Sequence, residues 1–195
     1  MKDFASFFLL IVVITIFYLY LESKASEVTY VTADNGKKYL VRNLPDKVDA
    51  ANLLSKVQYT LTTLVDHLYE NREKKYSEKK EDIERMKENY RPDSLSESSP
   101  GNKYTSYSIN KGSKIVYCIR SKDGKNTLVD ENTIKFVAIH ELAHLMTKEI
   151  GHVPIFWENM RYLLKQAIDL KLYKYQDYSE KHVEYCGTHI TDTPL

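Results

Sequence analysis

His140-Glu141-Leu142-Ala143-His144 constrains this chain more than any other stretch, because it is an H-E-x-x-H motif inside a helical pattern. Residues four apart lie close to one turn apart, so the two imidazoles project from one helix face. That spacing suits two corners of a zinc coordination sphere, with Glu141 beside the metal as general base. The flanking residues agree with a helix. Asp130 is a suitable N-cap, and Glu131 suits the positive end of the helix dipole. Ile134, Val137, Ala138, Leu142, Leu145 and Met146 recur near the three-and-four spacing of a buried face. Gly151 is placed to end that helix in the left-handed conformation, and Pro154 to open the next one.

A third zinc ligand is expected just past the helix. His152 is the first candidate, and Glu158 on the following helix is the alternative. His182 and His189, in a polar tail, are outside candidates. Three protein ligands leave a fourth position for water, which separates catalytic from structural zinc. Zinc brings the pKa of such a water to about 7, and Glu141 can take its proton as it attacks a carbonyl. The expected chemistry is hydrolysis of a peptide bond, the partner a peptide or protein substrate, and the cofactor Zn2+. Cys118 and Cys186 have no C-x-x-C spacing, so a closed cysteine-rich zinc site is not expected.

Lys114 to Ile119 is the strongest strand signal and lies just upstream of the motif helix, followed by the turn signal Asp123-Gly124. Two readings stay open for it. It borders the cleft and pairs with substrate backbone, or it is an interior strand with no substrate role. Val28 to Thr32 and Lys38 to Val41 read as a hairpin around Asp34-Asn35-Gly36. Pro45-Asp46 opens a long helix whose stripe includes Leu53, Leu54, Val57, Leu61, Leu64 and Leu68. His67, near its end, reads as a helix-face histidine. A charged helix is expected over Glu78 to Tyr90, and the serine-rich stretch from Arg91 to Gly101 reads as a loop.

Phe4 through Leu21 is an almost unbroken apolar run, about 27 Å long as a helix, near the thickness of a hydrocarbon core of about 30 Å. It predicts an uncleaved single-pass anchor over residues 4–21, with a membrane localisation. A cleaved signal peptide ending near Ser23-Lys24-Ala25 is the rival. The net charge of +1, with acids and bases interspersed, offers no basic face for nucleic acid. Two cysteines permit one disulfide without indicating it, and Cys186 reads as a small buried hydrophobe. That usage points weakly to a reducing compartment. Nothing in the pattern speaks to oligomeric state.

His140 to His144, then Gly151-His152 and Phe156-Trp157, resemble the WLM group of zinc metallopeptidases, relatives of the SprT-like proteases. The stretch is similar in particular to metallopeptidases of large DNA viruses, through the Lys111–Val116 strand, the G-H-x-x-x-F-W segment and Tyr185-Cys186-Gly187. The resemblance spans about Tyr104 to Pro194. It implies zinc ligands at His140, His144 and His152 with Glu141 as catalytic base. The gap from His144 to His152 is longer than in cellular members, and the DNA-crosslink substrates of those members are not carried over. The expected fold class is α+β: a zincin-like domain over residues 45–195 with a small antiparallel sheet and the HExxH helix. A hairpin or tether over 22–44 and the N-terminal transmembrane helix precede it.

Overall fold

The protein, as a computed structural model, is described over residues 2–110 and 112–195, with side chains for all of these except 2–5 and 23–26. Helix α1 (Lys2–Ser26) meets the rest of the chain at strand β1 (Val28–Thr32). Its described apolar side chains are nearly all exposed. The expected transmembrane anchor is corrected here: among the described residues, no helix is long and apolar enough to cross a membrane. The membrane localisation rested on that anchor and falls with it.

The expected small antiparallel sheet is corrected as well. β1, β2 (Lys38–Arg42), β3 (Leu95–Glu97), β4 (Ser106–Ile109) and β5 (Lys114–Tyr117) form a five-stranded mixed sheet in the order β1-β2-β3-β5-β4. β1 and β2 are the expected hairpin, with Gly36 at φ 77 in its turn. β3, however, lies within the segment that reads as a loop, and it runs parallel to both β2 and β5. Parallel neighbours need a long crossover. Helices α2 (Lys47–Glu70) and α3 (Lys80–Asn89) supply it between β2 and β3. The fold is therefore mixed α/β.

α2 lays its leucine stripe against the sheet, and α4 (Glu131–Met146) packs on α2, α3 and α5 (Pro154–Asp169). α4 starts where the sequence predicts. The Asp130 carboxylate accepts the backbone N–H groups of Asn132 and Thr133 at 2.9 and 3.0 Å. It ends sooner than predicted, at Met146, where the backbone of Thr147 turns extended (φ -89, ψ 132) and the Thr147 hydroxyl donates back to the Ala143 carbonyl. Gly151, at φ 88, shapes the following loop instead of capping the helix. A separate hairpin, β6 (Val183–Tyr185) and β7 (Thr188–Ile190), completes the described elements.

Arg120 ties three parts of this frame together. Its guanidinium is 2 % exposed, and donates to Glu97 at 2.7 Å and to Asp46 at 2.6 Å. Glu97 also accepts the Arg42 backbone N–H at 2.7 Å, which supplements a β2–β3 pairing only one residue pair long. Removing one partner of a buried pair strands the other charge in a low-dielectric interior. We expect Arg120→Met to lower unfolding stability by about 3–5 kcal/mol in urea titrations.

Cys118, just after β5, is bonded to Cys186, next to β6, across a separation of 68 residues. Cys186 is buried as expected, and Cys118 is buried with it, but as disulfide partners, which removes the support that unpaired thiols would give to a reducing compartment. Closing a loop of that length restricts the unfolded chain by about 4 kcal/mol in the chain-entropy account. A Cys118→Ser, Cys186→Ser double variant is expected to lose stability of that order. The same urea titration, run with and without reductant on the wild type, checks it.

Candidate metal centre and cleft

His140 and His144 leave one face of α4, and the loop after α4 returns His152 to them. The three rings form a nearly equilateral triangle, with centroids 5.0, 4.9 and 4.9 Å apart. Their candidate ligand atoms all lie within 4.8 Å of one another. Phe156, at the start of α5, forms the floor: its ring centroid is 4.9, 4.3 and 4.7 Å from those of His140, His144 and His152. Trp157 stacks on His152 at 5.4 Å. Pro154 at the first position of α5 starts the helix that carries both aromatics.

The donor set fits zinc. Two imidazole nitrogens on a tetrahedral zinc stand about 3.3 Å apart, given Zn–N distances of about 2.0–2.1 Å. The Nε2 atoms of His140 and His152 are 3.0 Å apart. Such a contact accommodates one proton at most, and a cation satisfies both lone pairs at once. Burial, then the neighbouring His144 and His152, hold His140 down to about 3; burial, then His152, holds His144 down to about 4. Both rings are accordingly neutral near pH 7, the form that binds metal.

Glu141 is 6 % exposed, and burial alone pushes its carboxyl up to about 7. A divalent cation alongside would pull in the opposite direction. Glu158, the alternative third ligand, is exposed and outside the histidine group. His182 is also outside it, while His189 lines the neighbouring cleft without joining the triangle.

That cleft encloses about 880 Å³. β5 is interior, hydrogen-bonded to β3 and β4, so the reading of Lys114–Ile119 as a substrate-pairing edge is not the one observed. β4 is the outer strand, and Thr105 to Ser108 form one rim. The C-terminal stretch from His189 to Pro194 forms another. Tyr185 joins the two rims through a 2.7 Å hydrogen bond between its hydroxyl and that of Ser106. Apart from His189, an outside ligand candidate, and Tyr185, none of these rim residues stood out in the sequence. β4 is short and polar, and the tail carries no periodic signal; only Tyr185-Cys186-Gly187 marked it.

The chain is 36% identical over 188 residues to Uncharacterized protein R325 of Acanthamoeba polyphaga mimivirus, a match covering 96% of this chain and 94% of that protein. It thus belongs to the family of large-DNA-virus proteins that R325 represents. Shorter matches link it to Uncharacterized protein 136R of Invertebrate iridescent virus 6 (39% over 69 residues; 35% of this chain, 38% of that protein). Uncharacterized protein 042R of Invertebrate iridescent virus 3 is similar to it over 64 residues at 42% identity (32% and 38%). No family model matches the chain, and no solved structure does.

The geometry discriminates between the two candidate third ligands. His152→Ala is expected to remove bound zinc or weaken its binding at least about tenfold, while Glu158→Ala keeps one zinc per chain. Elemental analysis of the purified full-length variants reads this directly.

Proposed function

We propose that this protein is a zinc-dependent metallopeptidase that hydrolyses peptide bonds. The observation that carries the reading is the closed triangle of His140, His144 and His152 beside a buried Glu141, in a cleft bordered by an outer strand. The likeness of Tyr104–Pro194 to WLM and SprT-like metallopeptidases supports the same reading. Zinc, where the three imidazoles hold it, supplies Lewis acidity that acidifies water and polarises a carbonyl.

The remaining work belongs to the chain. β4 is an edge strand of the sheet, beside which an extended peptide adds as a further strand. The walls of the cleft limit water around the scissile bond. Glu141, one residue past His140 and held by α4, accepts a proton from the attacking water at a carboxylate oxygen. It returns that proton to the departing amine nitrogen as the C–N bond breaks and the new C–O bond stays. One water is consumed, and a carboxyl and an amine are released.

Glu141→Gln keeps the shape of the side chain but removes its basicity. We expect it to retain zinc and to lower the rate of peptide cleavage by at least about a hundredfold, the scale of lost general-base catalysis. Cleavage of a mixed peptide library at wild-type rate by this variant would overturn the role of Glu141. Peptides left intact by the zinc-loaded wild type would overturn the peptidase reading.

A further inference from the structure

The histidine triangle has two members on α4 and one on a loop, and the loop is the looser support. His140 and His144 are half-buried and one helical turn apart, whereas His152 is exposed and follows Gly151 at φ 88. Where His152 stands therefore depends on the two ends of its loop: Thr147 after α4, and Val153 at the start of α5. A chain of hydrogen bonds behind the site ties the first of these ends to α5.

Asn159 is the polar member of the buried face of α5, which is otherwise Phe156, Met160, Leu163, Leu164 and Ala167. Its amide nitrogen donates to the Thr147 hydroxyl at 3.1 Å, and that hydroxyl donates to the Ala143 carbonyl at 2.8 Å. Its amide oxygen accepts from the ammonium of Lys79, the residue before α3, at 2.9 Å. These partners fix the orientation of the amide. An ammonium can only donate, so the oxygen faces Lys79 and the nitrogen is left for the hydroxyl. Every proton then points the same way, from Lys79 to the carbonyl of the residue before His144. Aligned bonds of this kind polarise one another, and a buried group that loses its partner is left unsatisfied. Arg85, on α3, closes the same helix end by donating to the Met146 carbonyl at 2.8 Å.

An amide is not needed to fill this space. A leucine of similar volume would bury apolar surface without desolvating a polar group. What the amide supplies is direction: a hydrogen bond holds Thr147 at one distance and angle, whereas apolar contact is non-directional and lets packed helices slide. Phe156, three residues before Asn159 and so on the same face of α5, is the ring beneath all three histidines. The bond thus locks the floor of the site and the root of the loop into one register.

We propose that Asn159 is a positioning residue of the metal centre, acting through Thr147 to hold the loop of residues 148–152 and with it the third ligand, His152. The inference rests on the three-histidine zinc reading above and adds the group that keeps the third imidazole in place.

The test uses the full-length chain, freed of metal and titrated with cobalt(II), whose visible absorption follows its coordination geometry. Wild type is expected to bind one cobalt per chain with the strong absorption of a four-coordinate ion. Asn159→Leu and Thr147→Val keep the volume and remove the bond. Each is expected to weaken cobalt binding at least about tenfold, the scale of a lost supporting contact, and to move the saturated spectrum towards that of His152→Ala. Thr147→Ser, which keeps the hydroxyl, is expected to match wild type. Thr147→Val answers the question if the leucine variant fails to fold. Wild-type affinity and spectrum in Thr147→Val, whether or not its urea stability falls, overturn the positioning role and spare the three-histidine site. A Thr147→Ser chain that binds cobalt as poorly as Thr147→Val does the same, because the hydroxyl is then not the group that matters. A wild-type chain that takes up neither cobalt nor zinc overturns both readings.

Discussion

Arg120 is the group on which the geometry of the rest depends. A guanidinium cannot shed its proton, so burying it is costly unless acceptors meet it. Here Nε and Nη1 find them in Glu97 on β3, in Asp46 just before α2 and in the Asn126 carbonyl, while Nη2 is buried without a partner among the described residues. The same residue pairs with Leu128, and the Val129 N–H reaches the Ile119 carbonyl. The chain is thereby delivered to Asp130, the cap of α4, at a defined point on the sheet. The position of the two motif histidines follows from that starting point, since α4 is continuous from its cap to Met146.

The site is assembled by packing more than by polar contacts. One phenyl ring, Phe156, sits under all three imidazoles, and Trp157 braces the most exposed of them. A dry floor of this kind has two consequences. It helps keep His140 and His144 neutral, and it strengthens any charge interaction above it because water is excluded. Burial likewise pushes the Glu141 carboxyl up. The cleft thus combines an aromatic floor under the histidines with polar and charged groups around it, the mixture from which small sites usually obtain both affinity and orientation.

Much of the helical frame was legible in the residues. The Asp130 cap, the Pro154 start and the leucine stripe of α2 are local signals, each decided by neighbours within a turn or two. β3 was not legible. Leu95-Ser96-Glu97 is three residues long and serine-rich, and it becomes a strand only because β2 and β5 offer backbone partners on both sides. The membrane expectation rested on the apolar run alone, and among the described residues no helix is long and apolar enough to span. The disulfide was equally hidden. Two cysteines separated by 68 residues carry no pairing information until the fold brings their Cα atoms to 6.2 Å.

What the sequence determined by itself is the pair His140 and His144 with Glu141 between them, because a helix repeat converts that spacing into a shared face without help from the rest of the chain. It also ranked His152 ahead of Glu158 while leaving both open. Tertiary structure brings His152, and not Glu158, to the other two rings, through a loop that begins where α4 ends at Met146. It likewise decided that β4 is the outer strand and that the C-terminal tail walls the cleft. These are contacts between residues far apart in the chain, and local periodicity holds no record of them; they arise only when burial of the shared core selects one arrangement of the elements.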